Sequence, residues 1–103
     1  MAARFAVSPE ALDAREVSRA VETGGAEPRP VGAVITFEGL VRATNQGRQV
    51  LRLEYEGYEA MIVRVFEQIA REIDEAWPGT SCAIHHRLGV LQIGDVSIVI
   101  AVS

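Results

Sequence analysis

Between Tyr58 and Trp77 the residues Met61, Ile62, Val65, Phe66, Ile69, Ala70, Ile73 and Trp77 recur at three- and four-residue intervals. Arg64, Glu67, Arg71, Glu72 and Glu75 fill the positions between them. That spacing draws one broad apolar stripe along a helix, and Pro78-Gly79 supplies the stop. A helix with such a face must lie against other apolar surface. The rest of the chain offers that surface mainly as strands, so helix on sheet is the architecture this segment imposes.

The strands are read from their own period. Residues 4–7, "RFAV", form a short first candidate. Asp13 then offers an N-cap with Glu16 three residues on, and Val17, Ala20 and Val21 make the stripe of a short helix that Gly24-Gly25 can end. The loop "GGAEPRP" leads into "VGAVITFEG", β-branched and apolar enough to be covered on both faces for part of its length. Leu51, Leu53 and Tyr55 alternate with Arg52, Glu54 and Glu56, the period of a half-buried strand. Between these two strands "RATNQGR" reads as a hairpin, with Asn45 and Gly47 suited to positive φ. After the long helix come a strand "SCAIHHR", a turn around "LGVLQIGD" and the nearly unbroken apolar strand "VSIVIAVS". A strand that apolar belongs at the centre of a sheet or under a partner. The order β-α-β-β-α-β-β predicts an α+β fold, two helices on a largely antiparallel sheet, opening like a split βαβ unit. At 103 residues, 1–103 is expected to be a single domain.

The net charge of −4 argues against bulk attraction to nucleic acid or to an anionic membrane surface. Any anion must be caught locally, and all ten basic residues are arginine, with no lysine in the sequence. One cysteine, Cys82, excludes an intrachain disulfide and suits a reducing cytoplasm, where the absence of a signal-peptide core also places the chain.

Several clusters invite a chemical reading. His85 and His86 are adjacent in a strand and point to opposite faces, so they do not easily share a metal ion. Cys82 and His86 share a face but stand about 13 Å apart at ~3.3 Å per residue. Cys82 lies in a strand interior without a helix N-terminus to lower its pKa, as a buried, inert thiol would. Glu54, Glu56 and Glu59 are accounted for by a solvated strand face and a helix start. Arg42 and Arg48 flank the hairpin, and their planar forks of donors suit phosphate or carboxylate. Spacing alone leaves two readings open for them, an anion grip or two surface arginines.

The blocks "GAVITFEGLVR", "LEYEGYEAM", the helix ending "WP", and "IHHRLGVLQIGDVSIVIAVS" stand in an order and spacing that resembles the large, catalytic subunit of molybdopterin synthase, from Gly32 to Ser103. The resemblance implies an alpha/beta-hammerhead type of fold. It also implies a central homodimer in which each copy binds a small ubiquitin-like sulfur-carrier subunit, giving a heterotetramer. The carrier's thiocarboxylated C-terminal glycine would enter a pocket, and its sulfur would pass, twice, to cyclic pyranopterin monophosphate to form molybdopterin. No metal or organic cofactor is implied. Leu40, Val41 and Arg42 match positions that line the substrate pocket, and Asn45 matches a loop position; Arg48 falls where the family varies. The family continues past its "AVS" strand with a His-Arg pair and a lysine-bearing helix that carry the transfer. Those residues have no match here, so the resemblance assigns no catalytic residue to this chain. It implies either a C-terminal truncation or a short variant that keeps the scaffold as a carrier-binding module, and no turnover by the chain alone.

Overall fold

Asp13 begins the first helix as its sequence promises. The computed structural model of the chain describes residues 3–23, 30–45, 48–49, 52–55 and 57–103, with the backbone alone between 44 and 55. In it Asp13 has extended φ and ψ, and its side chain accepts from Arg15 N at 2.9 Å, satisfying one of the free donors at the start of α1 (Ala14–Arg19). Val17, Ala20 and Val21 are buried and pack with Ala83, Val99 and Ala101 as the core on one face of the main sheet.

That sheet has four strands: β1 (Phe5–Ser8), β6 (Cys82–Arg87), β8 (Val96–Val102) and β2 (Ile35–Leu40), in that spatial order. β6–β8 and β8–β2 are antiparallel, and β1 joins β6 in parallel. β1 and β2 therefore run in the same direction, as a βαβ crossover requires. Two strands separate them, whereas the split βαβ of a ferredoxin-like unit inserts one. The apolar strand β8 is central, with Ser97, Val99 and Ala101 buried on one face and Val96, Ile98, Ile100 and Val102 half-buried on the other. Its backbone is paired on both sides, so it needs no second copy to satisfy its hydrogen bonds.

The second and longer helix, α2, covers Glu59–Ala76, with Tyr58 as N-cap and Trp77 as C-cap. Gly79 at φ 94° turns the chain out of it, and Trp77 N still donates to Ile73 O at 2.8 Å. The helix packs on β1 and β6. Cys82 and Ile84 lie on the pleat opposite Ala83 and are buried too, so β6 is covered on both faces. Phe66 is the buried residue of α2; Met61, Val65 and Trp77, although part of the same stripe, are exposed. On the polar side Arg71 Nη2 donates to Gln68 Oε1 at 2.6 Å.

The middle of the chain departs from its sequence reading. β3 (Thr44–Asn45) pairs with β4 (Arg48–Gln49), so the hairpin expected in "RATNQGR" is present. Gly47, expected there at positive φ, lies outside the described residues. The strands flanking this hairpin belong to different sheets. β2 pairs with β8, while β5 (Arg52–Tyr55) pairs antiparallel with β7 (Gly89–Gln92) in a separate two-stranded ribbon. β7 occupies part of the segment read as a turn. It is a four-residue strand with one buried side chain, Leu91, bracketed by Gly89 and Gly94, both at positive φ. So short a run between glycines carries no readable period.

Gly39 sits where the β2–β8 register shifts, and its carbonyl accepts from Ser97 Oγ at 3.2 Å. A Cβ there would stand 2.7 Å from Ile98 Cγ2, a branch methyl held close to its own backbone. Gly39→Ala is therefore expected to destabilise the fold by about 1–3 kcal/mol, the scale of overpacking. A denaturant midpoint equal to the parent's would show that the two strands separate more easily than this.

Candidate functional site

β2 ends at Leu40, and the chain then meets the turn between β7 and β8. Val41 N donates to Asp95 O at 3.0 Å and accepts at its carbonyl from Gly94 N at 2.9 Å. Both backbone groups of Val41 are thus taken by one turn. The turn closes on itself: Asp95 Oδ2 accepts from Gln92 N at 2.8 Å, and Asp95 N donates to Gln92 O at 3.0 Å. Gly94, at φ 91°, supplies a backbone geometry that side-chain-bearing residues rarely adopt.

The candidate binding residues separate on this frame. Val41 is 3% exposed, so its side chain belongs to the interior. Leu40 is 56% exposed and Arg42 is exposed, one on each side of it. Leu40 and Arg42 are thus the accessible members of the three, on either side of a buried Val41. Asn45 enters the neighbouring hairpin, paired through its backbone with Arg48.

Arg87, which has no role in the sequence reading, reaches the same turn. Its Nη1 lies 3.5 Å from Asp95 Oδ2, and its Nε donates to Pro9 O at 3.2 Å. The signal was present in the sequence as the "HHR" and "IGD" blocks, but nothing in their spacing shows that the two meet.

The histidines divide as their alternation requires. His85 is buried, with Nε2 2.7 Å from Ala3 O, while His86 is half-buried, with Nδ1 2.7 Å from Arg87 O. Among the described residues no group of three His, Cys, Asp or Glu is placed to hold a metal ion. Cys82 is 1% exposed. Burial pushes its thiol above the ordinary value, against the smaller opposing pull of the Arg4 guanidinium, whose Nε donates to Cys82 O at 3.3 Å. A shallow open depression along the first turns of α2, between Tyr58, Val63, Arg64 and Glu67, is remote in sequence from these groups.

Comparison with known proteins assigns this frame to a family. The family model described as MoaE protein matches residues 7–103, and the chain belongs to that family. It is 44% identical over 100 residues to the molybdopterin synthase catalytic subunit of Bacillus subtilis (strain 168), covering 97% of this chain and 60% of that protein. The crystal structure of molybdopterin synthase from Staphylococcus aureus superposes with a TM-score of 0.85 at 36% identity, over 100% of this chain and 72% of that one. A complex of subunits 1 and 2 of molybdopterin-converting factor from Helicobacter pylori 26695 contains a chain that superposes with a TM-score of 0.70 at 25% identity, over 97% of this chain and 64% of that one. The chain spans less than two thirds of the length of the curated relatives it matches first.

Burial of the Cys82 thiol makes the stability of the fold depend on pH. The folded state holds the proton more tightly than the unfolded chain, so this group's contribution is complete below the unfolded thiol's pKa. It is lost as pH rises through that value toward the folded one. Alkylation of Cys82 by iodoacetamide at pH 8 is accordingly expected to be at least about tenfold slower in the native chain than in denaturant. Comparable rates would mean that the thiol is open to solvent.

Proposed function

We propose that this chain serves molybdenum cofactor biosynthesis as the large-subunit part of a molybdopterin synthase. In that role it receives the thiocarboxylated terminus of a small sulfur-carrier subunit and holds cyclic pyranopterin monophosphate for sulfur transfer. The observation that carries this is the meeting of two resemblance blocks, "TFEGLVR" and "IGDVSIVIAVS". They are hydrogen-bonded along β2 and β8 and locked together at Val41, with Arg42 at the end of the pair. A phosphate-bearing substrate gives an exposed arginine at that place a physical role, since its planar fork forms charge-assisted hydrogen bonds to phosphate oxygens.

In this reading Leu40 and Arg42 face the pterin precursor, Val41 fixes their direction, and Asn45 lies in the adjoining hairpin. The partners are the carrier subunit and a second copy of the chain. No helix of the described residues is long and apolar enough to cross a membrane, and a reducing cytoplasm suits the single thiol. The chemical step asks for an amine-bearing side chain beside the thiocarboxylate. The family's lysines have no match among these 103 residues, and arginine stays protonated and does not act as a base or amine nucleophile near neutral pH. The contribution of these residues is therefore recognition. That favours, as a second reading of the chain taken by itself, a carrier- and precursor-binding module without turnover.

Arg42→Ala is expected to weaken binding of cyclic pyranopterin monophosphate by roughly 1.5–3 kcal/mol, the loss of a hydrogen bond to a charged group. Calorimetric titration of parent and variant measures it, and equal affinities would return Arg42 to an ordinary surface arginine. Mixing the 103-residue chain with thiocarboxylated carrier and precursor separates the two readings. Binding without molybdopterin is the expected result; production at the rate of a full family enzyme would place the chemistry in Arg42 and its neighbours.

A further inference from the structure

The turn that grips Val41 is itself held by a side-chain pair, and the connection runs in one direction. Pro9 O receives Arg87 Nε at 3.2 Å; Arg87 Nη1 stands 3.5 Å from Asp95 Oδ2; that same oxygen receives Gln92 N at 2.8 Å. The carbonyl of Asp95 and the amide of Gly94 then take the amide and carbonyl of Val41. Arg42 is the next residue. Its Cα follows that of Val41 by about 3.8 Å, so a fixed Val41 sets where the Arg42 side chain leaves the backbone.

We propose that Asp95 and Arg87 are positioning residues for Arg42, setting where its side chain leaves the backbone by fixing the turn that clamps Val41. The proposal rests on the reading of Arg42 as the phosphate-binding residue. Asp95 is suited to this because one carboxylate closes the turn internally and takes the arginine externally. Arg87 is suited because its fork spans two acceptors on different segments, which a lysine ammonium at the end of a flexible stem does not hold in a fixed plane. The ion pair is partly exposed, with the two side chains at 22% and 35%. Its worth therefore lies in direction more than in stability, since partly solvated pairs contribute little to folding. Loosening the turn lets Arg42 sample directions that miss the phosphate, and the cost appears in affinity.

The test is a double-mutant cycle on the full chain, read by calorimetric affinity for cyclic pyranopterin monophosphate. Asp95→Ala is expected to weaken binding roughly fivefold, about the worth of one hydrogen bond. Asp95→Asn, which keeps an acceptor oxygen for Gln92 N–H, should recover part of that loss. In an Arg42→Ala background Asp95→Ala should change nothing further, because the residue acts through Arg42. Val17→Ala, which destabilises the core under α1, should leave the affinity of the folded chain unchanged. Amide exchange gives a readout without ligand: the Val41 and Gly94 amides should exchange faster in Asp95→Ala than in the parent.

Equal weakening with and without Arg42, or the same weakening from Val17→Ala, would overturn the proposal by reducing Asp95 to a structural role. Arg42→Ala weakening binding while Asp95→Ala does not would leave the functional reading standing and remove the positioning pair. Arg42→Ala with no effect would remove the functional reading, and the positioning role with it. Unchanged exchange at Val41 and Gly94 would break the first link of the mechanism whatever the affinities.

Discussion

The pairing of β8 on both of its sides is the constraint on which the rest of the structure depends. β8 is the last strand in sequence and the second from one edge in space. β6 on one side and β2 on the other are aligned through it, and the core residues Val99 and Ala101 project from it toward α1. Without it, β2 would lose its strand partner among the described residues, and β1 and β6 would form a separate parallel pair. Its pairing with β2 reaches back across about half of the chain or more, so the loop-closure entropy of that pairing is met only when β8 docks.

The candidate site inherits this arrangement. Leu40 and Arg42 are displayed where β2 leaves the sheet, and the turn that meets them is the one that feeds β8. One segment of chain therefore both completes the sheet and fixes the strand end. The register shift at Gly39 serves the same junction, since it brings Leu40 opposite Val96 at the entry of β8. A side chain at Gly39 would push Ile98 away and disturb the sheet and the site together.

Local physics was legible in the sequence, and partnership was not. α2 could be read almost to its last residue because eighteen positions of period and a Pro-Gly stop agree with one another. α1 was legible from one capping aspartate and three apolar residues. The separate β5–β7 ribbon was not, because strand pairing is a relation between distant segments and β7 is too short to show a period of two. The stripe on α2 shows the same limit from the other side. Its width could be counted from the sequence, yet Phe66 is buried while Met61 and Val65 are exposed, and nothing in the period distinguishes them. At the site, Arg42 was visible as a residue type suited to phosphate. Val41 as an anchor, with Arg87 and Asp95 behind it, required the turn to be seen against the strand.

The charge balance gives that rigidity a purpose. These 103 residues carry a net −4, so in the proposed role a phosphorylated substrate would meet them without help from their average field. What attraction exists must be short-ranged and directional, and a guanidinium delivers it only when its fork meets the phosphate oxygens in plane. A basic surface would tolerate a loosely held arginine, because many orientations and many neighbours would contribute. An acidic one does not, and the hydrogen bonds spent on Val41, two from its own backbone and two more closing the turn behind it, are what make a single arginine sufficient in the proposed role.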